Sequence, residues 1–117
     1  MRKLGLMLLP SLAIVVLSAA ADITGNWEVE VIFDDSTLAG GGIDCTFKQD
    51  GERLSGNCVG ITLTGEVKGQ NVSWRIQEKG DPEARTFTGT LNEAGTTMTG
   101  RFTMTDKGGR FTASRQF

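Results

Sequence analysis

The chain has 117 residues, with 12 Lys and Arg against 14 Asp and Glu, a formal net charge of −2 and no histidine. That balance lacks the basic stripe a phosphate backbone demands, so no nucleic-acid partner is expected. Without His, Ser–His and Cys–His catalysis are excluded and a two-cysteine metal site is left incomplete.

Residues 1–21 read as a secretory signal peptide. Met1-Arg2-Lys3 is a basic start, Leu4 to Leu17 is apolar apart from Gly5, Pro10 and Ser11, and Ala19-Ala20-Ala21 offers a small-residue cleavage site after Ala20 or Ala21. That apolar run is too short for a helix that needs about 20 residues to cross a bilayer, so no membrane span is expected after cleavage. Residues 22–117 then form one small domain, exported to the periplasm or the cell exterior.

From Trp27 onward, apolar residues recur at every second position, the period of a strand with one buried face. Trp27, Val29, Val31 and Phe33 make the first inward set, followed by the loop "DDSTLAGGG" at 34–42. Ile43, Cys45 and Phe47 make the second, and Gln49-Asp50-Gly51 is a hairpin turn signal. Leu54, Gly56 and Cys58 follow, then Ile61, Leu63, Gly65 and Val67, then Val72, Trp74 and Ile76. Beyond the irregular "EKGDPEA" come Phe87, Gly89 and Leu91, then Met98, Gly100, Phe102 and Met104, and finally Phe111, Ala113 and Arg115.

Eight strands with hairpin-length links and no helical segment predict an all-β fold, an eight-stranded antiparallel up-and-down β-barrel. Closing the sheet removes both exposed edges. A two-sheet sandwich is the alternative, but it needs longer crossings than most of these links supply.

A unit of apolar residue, Ser or Thr, then Gly appears at Leu54-Ser55-Gly56, Leu63-Thr64-Gly65, Phe87-Thr88-Gly89 and Met98-Thr99-Gly100. All four glycines fall on the inward parity, where a missing side chain lets a small barrel bend sharply. We read the repeat as a curvature device. The lesser reading is that the glycines clear room for a ligand.

Cys45 and Cys58 are the only cysteines, and an exported chain favours a disulfide between them. Counted out from Asp50-Gly51, they share the inward parity on adjacent strands, opposite each other in one register and two residues apart in the other. A bond selects the first register and contributes roughly 3 kcal/mol by loop closure.

Nothing else in the chain carries chemistry. Asp34, Asp35 and Asp44 lack the alternating oxygen ligands of a calcium loop, and Gly40-Gly41-Gly42 has neither the helix nor the Lys of a phosphate cradle. Asn71-Val72-Ser73 is a formal glycosylation sequon that depends on the host. No catalytic, cofactor-binding or metal-binding residue is expected, and no enzyme activity. The inward aromatic residues Trp27, Phe47, Trp74, Phe87 and Phe102 are the candidate lining of a narrow apolar pocket, entered past the 34–42 loop.

Gly25-Asn26-Trp27 on the first strand and Arg115 on the last resemble the calycin superfamily of lipocalins, fatty-acid-binding proteins, avidins and bacterial metalloprotease inhibitors. There a G-x-W packs against an Arg near the end of the last strand, which implies that Trp27 and Arg115 close the barrel. The strand–turn units "RLSGN", "LTGEV", "VSWRI", "FTGTL" and "MTGRF" are similar to those of avidins, but with no Tyr the biotin site is not carried over. The resemblance implies a non-catalytic binding protein for a small apolar ligand. The alternative is a barrel that binds an extracellular protein, such as a protease inhibitor, with Asp22-Ile23-Thr24 as a tail for the protease cleft.

Overall fold

Alternating apolar residues give each strand one face that must leave water, and eight such faces bury one another when the sheet rolls up. The computed structural model describes residues 22–80 and 83–117, so the expected signal peptide lies outside the described residues. The described strands are β1 (Gly25–Phe33), β2 (Gly41–Asp50), β3 (Arg53–Cys58), β4 (Ile61–Lys68), β5 (Asn71–Ile76), β6 (Arg85–Leu91), β7 (Thr97–Thr103) and β8 (Gly108–Gln116). Each pairs antiparallel with the next and β8 pairs back onto β1, closing the barrel and excluding the sandwich. Met104, expected on the seventh strand, lies one residue past it in the turn, where its N–H donates to the Lys107 carbonyl (2.8 Å).

The interior is apolar throughout, with no buried polar or charged residue among those described. Outward positions carry the polar residues, among them Glu28, Glu30, Thr64, Thr88, Arg101 and Thr112, all exposed. The outer wall therefore lacks the apolar band of a membrane barrel. No helix among the described residues is long and apolar enough to cross a bilayer.

Strand tilt makes the inward neighbours climb the wall in oblique rows. One row runs Leu54, Gly65, Trp74, Phe87, Phe102, Gly109 and Phe33. In another, Phe47 sits between Gly25 and Gly56, and in a third Phe111 follows Gly89 and Gly100. At two of these glycines a ring occupies the space a side chain would take. A Cβ at Gly89 would lie 2.8 Å from Phe111 Cζ, and one at Gly109 would lie 2.8 Å from Phe102 Cε1 and 2.1 Å from the Ile32 carbonyl oxygen. Gly89 and Gly109 thus seat aromatic rings, while Gly56, Gly65 and Gly100 let the neighbouring strand's backbone come close, and the room is taken.

The two ends of the barrel differ. The turns at 51–52, 69–70 and 92–96 and residues 22–24 gather at one end, where Ile23, Leu54, Val67, Val72, Leu91 and Met98 are all buried. At the other end lie the loop 34–40, the turn Val59-Gly60, residues 77–80 and 83–84, and the turn 104–107. There the inward-facing Val31, Phe33, Ile43, Ile61 and Met104 pack on the core but stay half-buried. The first end is sealed and the second is open.

The close approach at Gly109 predicts that Gly109→Ala destabilises the protein by about 3 kcal/mol, since the methyl meets backbone and a packed ring. Gly41→Ala is the control, with nothing within 4 Å of its new methyl. Urea unfolding should place it within about 0.5 kcal/mol of the parent.

Candidate functional site

The sealed end is built around Trp27, which is 1% exposed. Its indole Nε1–H donates to the Ile23 carbonyl (2.9 Å), and the Ile23 N–H donates to Gln49 Oε1 (2.9 Å). Arg115 sits directly across the β1–β8 pair from Trp27, its guanidinium carbon 5.7 Å from the ring centroid. Its Nη1 donates to the carbonyls of Asp22 (3.0 Å) and Gly95 (3.4 Å), and its Nη2 to that of Thr24 (2.6 Å). Residues 22–24 are strapped across the base by the two partners of the G-x-W arrangement. Hydrogen bonds from the Thr24 hydroxyl and N–H hold the Asp22 carboxyl below its ordinary value, and the nearby Arg115 charge adds to this.

This corrects one expectation. Asp22-Ile23-Thr24 is not a free tail, because Ile23 is fully buried and its carbonyl is the acceptor that Trp27 needs. A protease-inhibiting segment of that kind has no support in these residues.

Cys45 and Cys58 are opposite partners on β2 and β3 and form the disulfide, leaving no free cysteine among the described residues.

The five aromatic residues expected to line a pocket are brought together, but around one another. Trp27 meets Phe47 at 6.1 Å between centroids, Phe47 meets Trp74 edge-on at 5.0 Å, and Trp74 stacks on Phe87 at 4.8 Å and 5°. Phe87 stacks in turn on Phe102 at 5.7 Å, and Phe111 wedges edge-on against Trp74 and Phe87. The interior at this level is filled, with Phe47, Trp74, Phe102 and Phe111 each paired to a glycine on a neighbouring strand. One polar atom is stranded there. Trp74 Nε1 is buried with no hydrogen-bond partner among the described residues. An unpaired buried donor costs about 1–3 kcal/mol.

A hollow lies instead at the open end. A cavity of ≈ 530 Å³ has Phe33, Leu38 and Met104 as its apolar surface, with Asp34, Asp35 and Lys107 at its polar margin. Phe33 links it to the core through an edge contact with Phe102 (5.2 Å). Leu38 was not anticipated as a site residue. Its signal is a single Leu in an otherwise small and polar loop, and the turn that places it is made by Asp35. The Asp35 carboxylate accepts from the Thr37 N–H (2.9 Å) and hydroxyl (2.7 Å), which lower its pKa, while the Asp35 carbonyl accepts from the Leu38 N–H (3.0 Å).

Charges at this mouth are largely answered. Asp34 pairs with Arg101, and Asp106 with Lys107 (3.3 Å). Asp44 lies away on the outer wall opposite Glu28, so the three aspartates considered from the sequence do not converge.

No family model and no curated protein sequence matches the chain. Among solved structures it is similar to a redesigned β-barrel, mFAP1, bound to DFHBI, with a TM-score of 0.54 and 17% sequence identity. The match covers 80% of this chain and 94% of that one. At that identity the likeness is one of fold, a closed eight-stranded antiparallel β-barrel.

Two predictions follow from the sealed end and the disulfide. Arg115→Met should destabilise by roughly 2 kcal/mol, losing the cation–π contact and the charged donors to two strapped carbonyls. Arg115→Lys should fall between, since an ammonium cannot reproduce the planar fork. Chemical unfolding of the three proteins gives the order. For the disulfide, the native protein should titrate no thiol, and reduction should lower stability by about 3 kcal/mol for a bridge of this loop length.

Proposed function

We propose that this protein is an exported, non-catalytic binding barrel that takes a small apolar molecule at its open mouth. The observation that carries the reading is the asymmetry of the ends. One is sealed by Ile23, Trp27 and Arg115, while the other leaves five inward apolar side chains half-covered, two of which, Phe33 and Met104, line a cavity. Uncovered apolar surface of this kind is characteristic of ligand grooves and contact sites. The cavity volume falls in the range that small molecules occupy, about 300–1,000 Å³. The paired charges at its margin favour a neutral ligand or one of low polarity. The structure of mFAP1 with DFHBI supports the idea that a barrel of this shape can hold a small molecule. A disulfide fits an oxidising compartment, in keeping with export.

A protein-recognition reading has one observation of its own. Ile32 (58% exposed) and Val59 (70% exposed) both stand at the open end. Val59 also holds φ = 50°, a conformation that costs a β-branched residue about 1–2 kcal/mol. Val59→Asn, which suits the left-handed region, should raise the unfolding free energy by about 1 kcal/mol. A partner crosslinked through position 59 and lost from this stabilised variant would favour protein recognition.

The ligand reading is tested with protein purified under native conditions. Native mass spectrometry should show a bound small molecule, or the emptied protein should bind the neutral apolar dye Nile red. Leu38→Glu combined with Met104→Glu should weaken dye binding at least tenfold without unfolding the barrel. A protein that carries nothing and ignores the dye would end this reading.

A further inference from the structure

Readily oxidised side chains are scarce in this barrel. The chain has no Tyr and no His, and its two cysteines are joined to each other. Trp27 and Trp74 are each 1% exposed, as is Met98. Of the other methionines, Met1 and Met7 lie outside the described residues. That leaves Met104, the one thioether among the described residues that is not shut inside the core. It sits one residue past β7, partly buried against the core, and forms part of the cavity wall at the open end. Thioether oxidation follows exposure, so an oxidant in solution reaches this sulfur before that of Met98.

Its position makes the change consequential. Phe33, Leu38 and Met104 are the apolar side chains of the cavity, so oxidation of Met104 alters one of only three. A thioether is flexible and apolar, whereas the sulfoxide is polar and chiral. Partners for the new oxygen already stand in the wall. Thr103, Thr105 and Lys107 border the same cavity, and each side chain carries a donor. The Met104 N–H donates to the Lys107 carbonyl (2.8 Å), so a tight turn holds these two residues together. The Lys107 ammonium donates to Asp106 (3.3 Å) and has further N–H bonds to give.

We propose that Met104 is an oxidation site, and that its sulfoxide lowers the affinity of the open mouth for an apolar ligand. The oxidant is a peroxide, either hydrogen peroxide or an organic hydroperoxide. A lone pair on Met104 Sδ attacks the outer peroxide oxygen as the O–O bond breaks and the S–O bond forms. The hydrogen of the transferred oxygen passes to the departing hydroxide or alkoxide, which leaves as water or alcohol. Sulfur gives up an electron pair and the peroxide accepts it. The inference rests on the mouth being a binding site and adds a means of emptying it.

Protein purified under native conditions is treated with hydrogen peroxide, desalted, and compared with untreated protein for Nile red binding. Peptide mass spectrometry should place one added oxygen on Met104 and leave Met98 unchanged. The oxidised protein should bind the dye about fivefold more weakly or worse, because a polar group now faces an apolar ligand. Its far-UV circular dichroism should be unaltered. Met104→Gln, polar and of similar length, should show the weakened binding without peroxide. Met104→Leu should have the same affinity before and after peroxide. Oxidation of Met98 as fast as Met104, or no oxidation of Met104, overturns the inference. Equal dye binding by oxidised and untreated protein, or a loss that persists in Met104→Leu, overturns it and leaves the mouth as a site. A loss of binding that accompanies unfolding also overturns it, because the sulfoxide then acts on the fold. Failure of the untreated parent to bind the dye removes the mouth reading and the inference together. Should Met104→Gln fail to fold, the parent before and after peroxide decides alone.

Discussion

Large rings inside an eight-stranded barrel need small residues beside them on the neighbouring strands, because the interior is only just wide enough for side chains to fill it. Here that requirement is met strand by strand. Trp74 faces Gly65, Phe47 lies between Gly25 and Gly56, Phe102 pairs with Gly109, and Phe111 pairs with Gly100. The same glycines let the strands bend enough to close. For these four rings curvature and packing are one constraint, while Trp27 and Phe87 are placed by the side chains beside them. Once Trp74 is seated against Gly65, Phe87 must stack on it, and Phe102 on Phe87.

A core packed this way has no hollow at its middle, which moves any binding to an end. The ends are not equivalent, and the difference comes from residues outside the alternating pattern. Ile23 precedes β1 and plugs the base because Trp27 requires an acceptor and Arg115 requires carbonyls, and the strap at 22–24 supplies both. At the opposite end the chain has the loop 34–40 and the turn 104–107, which border the cavity without sealing it. The half-covered Val31, Phe33, Ile43, Ile61 and Met104 are the result.

The two buried tryptophans differ in how their polar atoms are met. Trp27 is satisfied on both its polar and its aromatic side, by Ile23 and Arg115, and belongs to the closure of the barrel. Trp74 is satisfied by packing alone and keeps an unused donor inside an apolar core. Buried polar groups without partners are rare enough in folded proteins that each calls for a cause.

The sequence by itself determined the strands, their order, the inward set and the pairing of Cys45 with Cys58. All of these are properties of a period of two read along the chain and across a short hairpin, and local rules suffice for them. It also put Arg115 and Trp27 on the same parity at neighbouring chain ends of the closed sheet. Whether the interior is hollow was not legible, because a glycine in a strand reads the same whether the space above it is empty or holds a ring from the next strand. That depends on register and tilt between strands far apart in sequence, as for Gly109 beneath Phe102 and beside Ile32. Ile23 could not be recognised as a plug, nor Leu38 as a mouth residue, since neither lies in an alternating segment and each is placed by a hydrogen bond formed only in the folded chain. The tertiary structure decided which end is sealed and which buried donor lacks a partner, because both depend on three-dimensional neighbours that no spacing along the chain encodes.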